Sequence, residues 1–126
     1  KAMMATGGSM VLFSTVATGI GVANHEAIAS AKAGIDGLVI SAAATYAPKS
    51  IRVNAVAPGL TDTPLASRIT GNEASLKASI AMHPLGRIGT AQDIASAAAW
   101  LVDPAQSWVT GQILRIDGGL STVRSR

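Results

Sequence analysis

Apolar positions along this chain fall into two registers. Short, nearly continuous runs at residues 9–14 (SMVLFS), 51–57 (IRVNAVA) and 111–116 (GQILRI) have the length of strands and the composition of strands covered on both faces. Between them, Ala-rich stretches with apolar residues three and four apart predict a long helix over about 25–46, a short one near 73–82 and another over about 91–102. Punctuation agrees with these limits. Gly7-Gly8 precede the first run, Pro48 stops the long helix, Pro58-Gly59 end the second run, and Asp117-Gly118-Gly119 follow the third. Thr90 and Asp93 have the spacing of a capping box, and Asp103-Pro104 close the helix that it opens.

Strand, helix, strand, a polar lid-like segment over 60–82, helix, strand is the order of a parallel sheet with helices on its faces. Ligands of such sheets bind beyond the carboxyl ends of the strands, which here are Ser14-Thr15, Pro58-Gly59 and Asp117-Gly118. On the long helix, Ala27, Ala31, Gly34, Leu38 and Ala42 share one side. Small residues there suit either packing on the sheet or close contact with a second copy of the chain.

Composition narrows the picture. A chain of 126 residues is expected to form one domain with one core. With 48% hydrophobic residues and only four aromatics (Phe13, Tyr46, Trp100, Trp108), the layers should meet through small side chains. The absence of cysteine excludes disulfides, thiolate nucleophiles and cysteine-based zinc sites. The net charge of +3 comes from scattered Lys and Arg, which argues against nucleic acid as a partner. No apolar run is read as reaching the roughly 18–20 residues of a membrane span, and the expected location is cytoplasmic. The two histidines, His25 and His83, lie far apart in sequence, so no metal site is expected.

The stretch NHEAIASAK at 24–32 opens like the H-E-x-x-H helix of zinc peptidases, but Ala29 stands where the second histidine would be. Its other end points elsewhere. The segments GGSMVLFSTVA, ASAKAGIDGL, SIRVNAVAPGLTDTPL, HPLGRIGTAQDIASAAAWL and VTGQILRIDGG, in that order, resemble the C-terminal half of a short-chain dehydrogenase/reductase, close to the ketoacyl-reductase type. The resemblance implies an α/β fold, the last three parallel strands of a Rossmann-like doubly wound sheet with two main helices and a helical lid. It also implies NAD or NADP as cofactor and hydride transfer between nicotinamide and a small alcohol or carbonyl substrate.

Matched position by position, the resemblance makes Lys32 the family lysine, which binds the nicotinamide ribose and lowers the pKa of a proton-donating tyrosine. It puts Pro58 and Gly59 at the turn beside the nicotinamide, a carboxamide contact on the backbone of Thr61 and a hydroxyl contact on Thr63. Thr15 falls where the family has a serine, and its hydroxyl can still polarise a carbonyl. Ile28 falls on the tyrosine and cannot exchange a proton at any pH. His25 lies on the stripe of Ile28 and Lys32 at helical spacing, so it is either a substitute proton donor or a polar residue at a helix start capped by Asn24.

The glycine-rich turn that seats a pyrophosphate is not found, and Gly19-Ile20-Gly21 are read as loop glycines. Residues 1–126 are therefore expected to be one partial domain without the N-terminal dinucleotide-binding half, inactive alone and weak in binding NAD(P). It should associate with that half or with a second copy. The alternative is a family member that has lost its chemistry and serves as a nucleotide-binding or oligomer-forming partner.

Overall fold

Strand β2 (Ile51–Pro58) lies at the centre of the structure, a computed structural model that describes residues 1–124. It is flanked by β1 (Gly8–Phe13) and β5 (Ile113–Ile116), both parallel to it, in the order β1-β2-β5. Met10 faces Val53 across the first pair, and Val56 faces Leu114 across the second. The resemblance to a doubly wound α/β sheet holds, and a strand buried on both sides explains why IRVNAVA reads as a continuous apolar run.

Helix α1 (Glu26–Tyr46) covers one face and α4 (Ala91–Val102) the other. Where one core was expected there are two clusters, because successive residues of β2 point to opposite faces. Ile51, Val53 and Ala55 pack with Val39, Ala42 and Ala43 of α1, whereas Val56 packs with Ile94 and Leu101 of α4. Asn54, fully buried on β2, is satisfied by the chain leading into β5: its amide donates to Val109 O at 3.0 Å and its carbonyl accepts from Gln112 N at 3.0 Å. Those bonds and the left-handed Gly111 (φ 70°) occupy the approach, so β5 begins at Ile113 rather than at residue 111.

Between β2 and α4 lie β3 (Thr61–Asp62), α2 (Ser67–Thr70), α3 (Glu73–Met82) and β4 (Gly89–Thr90). The β3 and β4 segments pair in parallel as a second sheet that the sequence reading did not contain, since two-residue strands carry no periodicity. It fastens the start of the lid to the start of α4. The expected capping box is present: Thr90 Oγ1 accepts from Asp93 N at 3.2 Å, and Asp93 Oδ2 accepts from Thr90 N at 2.8 Å.

Two expectations about α1, its cap and its hydropathy, are corrected, and the choice offered for its small-residue stripe goes against packing on the sheet. Its N-cap is His25, not Asn24, which adopts a left-handed φ of 62° and so turns the chain ahead of the helix. Of the small-residue stripe, Ala42 is buried, while Ala27, Ala31, Gly34 and Leu38 are exposed. The helix meets the sheet through Val39, Ala42 and Ala43, about one helical row away from the rest of that stripe. Finally, Glu26–Lys49 does contain an 18-residue window of mean hydropathy 1.4, apolar enough to cross a membrane, with 17% of it buried. Packing of α1 on the sheet accounts for the apolar residues on one side only; Leu38 and Ile40 remain open to solvent.

Candidate active site

The three strands of the main sheet run parallel, so their carboxyl ends converge on one side. A cavity of about 1050 Å³ opens there. Its wall includes Phe13, Thr15, His25, Ile28, Pro58, Gly59, Thr61, Thr63 and His83, and among the described residues no Asp, Glu, Lys or Arg side chain contributes to it. Aliphatic groups from the loop after β1, from α2 and from α4 supply most of the remainder, among them Val16, Ile20, Ile69 and Ile94.

Thr15 leaves β1 in extended conformation and accepts from Ala17 N at 3.3 Å, which starts a short 3₁₀ turn over Val16–Thr18. Its hydroxyl proton is not committed by that bond and can be donated into the cavity. Pro58 ends β2 opposite Ile116. Thr61 Oγ1 donates to Gly59 O at 3.2 Å, whereas Thr63 makes no side-chain cap for the 3₁₀ turn it precedes. The Thr63 hydroxyl is thus not committed to that turn.

Lys32 stands apart from this group. Its Nζ donates to Phe13 O at 2.8 Å, tying α1 to the end of β1, and its side chain is not part of the cavity wall. An ammonium group carries three donors, so two remain. Ile28 lines the cavity and is 46% exposed. His25, one helical turn earlier, lines it as well.

The structure adds a cluster that the sequence reading did not find. His83, 3% exposed at the end of α3, donates from Nδ1 to Ser79 O at 2.7 Å, while its Nε2 is buried without a hydrogen-bond partner. A β-carbon on Gly59 would sit 3.0 Å from that Nε2 and 3.0 Å from Asp117 Cα. The glycine at 59 is therefore required by the packing of its own protein, a reason separate from the cofactor approach inferred for it. Asp117 accepts from Gly119 N at 3.0 Å and from Ser121 N at 2.9 Å. Burial works against its charge, but the Ser121 side chain and amide, the Gly119 amide and His83 outweigh that and hold the carboxyl below its usual range. The one hint in the sequence is a lone histidine at the close of an apolar helix, just before Pro84-Leu85-Gly86.

Comparison with known proteins agrees with this geometry. A family model described as enoyl-(acyl carrier protein) reductase matches residues 1–121. The cis-4-hydroxycyclohexanecarboxylate dehydrogenase of Sinomonas cyclohexanicum is 44% identical over 117 residues, which are 92% of this chain and 46% of that protein. The 2,5-dichloro-2,5-cyclohexadiene-1,4-diol dehydrogenase of Sphingobium indicum is 40% identical over 119 residues, 94% of this chain and 48% of that one. An Agrobacterium tumefaciens protein solved with bound NADP superposes with a TM-score of 0.86 at 35% identity, over 90% of this chain and 46% of that structure. The chain thus spans about half the length of the curated relatives it matches.

Proposed function

The chain belongs to the short-chain dehydrogenase/reductase family, and on that footing we propose that it forms the substrate-facing part of an oxidoreductase that moves hydride between the nicotinamide of NAD or NADP and an alcohol or carbonyl carbon. The observation that carries this reading is the meeting of Thr15, Pro58, Gly59, Thr61 and Thr63 around one cavity at the strand ends. In it, Thr15 polarises the substrate oxygen. The Pro58-Gly59 turn and the backbone of Thr61 flank the nicotinamide, and the Thr63 hydroxyl bonds to it. Lys32 uses its two uncommitted donors on the ribose hydroxyls. When bound, the dinucleotide supplies the hydride acceptor or donor.

The residues present fit the nicotinamide and ribose end of such a cofactor. For the pyrophosphate, the described residues contain no glycine-rich turn leading directly from a strand into a helix N-terminus, the arrangement that supplies converging amide donors. The 126-residue chain alone is accordingly expected to bind NADPH with a dissociation constant no tighter than millimolar. Calorimetry that found micromolar affinity would overturn the division of labour proposed here.

An uncharged wall of aliphatic groups suits an alicyclic or similarly apolar secondary alcohol, the carbon class named in the two dehydrogenases above. A second copy of the chain, or the rest of a longer protein, would cover the exposed side of α1, and the expected setting is the cytoplasm. One observation favours a second reading. Ile28 presents only an aliphatic side chain where the family tyrosine would stand, so a protein that binds nucleotide or oligomerises without turnover is the alternative. NAD(P)-dependent oxidation of cyclohexanol by a full-length protein containing this chain separates the two.

A further inference from the structure

The oxidoreductase reading leaves the proton without a carrier at position 28. The geometry points to His25 as the catalytic base that receives the substrate's hydroxyl proton, an inference that rests on the oxidoreductase reading of the cavity. Three observations support it. First, His25 lines the same cavity as Thr15 and Ile28, one helical turn from the aliphatic side chain that replaces the expected donor. Second, its tautomer is set: Nδ1 lies 2.9 Å from Ala23 O, and a carbonyl only accepts, so Nδ1 carries the hydrogen and Nε2 presents a lone pair. Third, the side chain has no task in the helix. His25 occupies the N-cap position of α1, but only its backbone works there, with Ala29 N donating to His25 O at 2.7 Å and no side-chain capping bond. The imidazole thus holds the turn ahead of α1 through Nδ1 and leaves Nε2 without a bond in the helix cap.

In the oxidation direction the substrate O–H bond breaks and its proton bonds to Nε2. The electron pair left on oxygen forms the carbonyl π bond as the carbinol hydrogen departs with its pair, as hydride, to an oxidised nicotinamide dinucleotide. The products are a ketone, the reduced dinucleotide and an imidazolium, which returns its proton to water through the open mouth of the cavity. Thr15 can donate to the same oxygen. Among the described residues the wall has no Asp, Glu, Lys or Arg side chain; its other imidazole, His83, sits at the end of α3 with its Nε2 against the Gly59 turn, and Glu26, the nearest charged neighbour in sequence, is exposed.

The test has an arm that needs no turnover. In the 126-residue chain with labelled histidine, nitrogen NMR is expected to report the Nδ1–H tautomer at residue 25, and cyclohexanol should shift the His25 Nε2 resonance together with the Ile28 methyl signals. Shifts at Ile28 without any at His25 overturn the assignment while leaving the cavity as the substrate site. Shifts at neither overturn the substrate cavity and the assignment with it. In a full-length protein, His25→Ala and His25→Gln should each lower turnover of cyclohexanol by about 100- to 10,000-fold, and Ile28→Tyr added to His25→Ala should restore it. Unchanged turnover in His25→Ala overturns the role of His25 but not the oxidoreductase reading, and a wild type with no turnover overturns both.

Discussion

At the scale of single residues, two carboxylates make folding sensitive to acid. The Arg87 side chain, bonded to both Asp93 oxygens at 2.8 and 3.1 Å, and the amide and hydroxyl of Thr90 hold the Asp93 carboxyl far below its usual range. Asp117 is held low as well. Because the folded chain binds these protons less readily than the unfolded chain, the stabilisation is complete above the ordinary carboxylate range, about pH 4, and is lost as pH falls below it. Thermal melting recorded from pH 7 to pH 2 should therefore fall at the acid end, modestly for the solvent-screened Arg87–Asp93 pair, and Asp93→Asn should melt lower at pH 7 yet lose less on acidification. His83 offers a second residue-level test. Truncation to Ala would leave Ser79 O without its donor and open a void between the ends of β2 and β5, for a cost of about 2–5 kcal/mol. Denaturant unfolding of His83→Ala measures it, and a loss under 1 kcal/mol would mean that the strand ends do not depend on that ring.

Elements show why some of this could be read from the chain and some could not. Strands β1 and β2 and helices α1, α3 and α4 have runs long enough to repeat a period, and each has a stop signal or a cap in its own sequence. Helix α4 is the clearest case, since Thr90 and Asp93 are three residues apart and their bonds are local. Thr90→Ala should cost about 1 kcal/mol of stability by removing the acceptor for Asp93 N, with helix content at α4 as the sensitive readout. The β3–β4 pair was hidden because its two-residue strands are joined only across the whole lid. The same holds for the site. Thr15, Pro58 and Gly59 stand at strand ends that the pattern marks, Thr61 and Thr63 were named through the family resemblance alone, and His25 through its spacing from Ile28 on α1. The contact of His83 with Gly59 and Asp117 comes from three separate elements and leaves no spacing to read. Lys32 was placed by its motif alone; only coordinates could reveal that one of its donors is spent on Phe13 O.

For the molecule as a whole, the deciding quantity is the surface. A compact protein of 12.7 kDa should expose about 6,200 Å² by size scaling, whereas this chain exposes 8035 Å². The excess, about 1,800 Å², is more than twice what one partner contributes to a standard protein interface, about 800 Å². Leu65, Leu85 and Trp108 hold part of the apolar surface, and two further places combine it with an open edge or small residues. β1 is an edge of the sheet, with unpaired backbone groups on its outer side and Phe13 48% exposed, and α1 leaves Leu38 54% and Ile40 58% exposed beside Ala31 and Gly34. An open edge strand and an apolar helix flank both favour association over exposure to water. The 126-residue chain is thus expected to behave in light scattering as a species of at least twice 12.7 kDa. Leu38→Glu, which puts a charge among those small residues, should weaken association tenfold or more if α1 forms the contact. If Leu38→Glu leaves the assembly intact, α1 does not form the contact. A stable monomer at high concentration would mean that neither surface needs a partner.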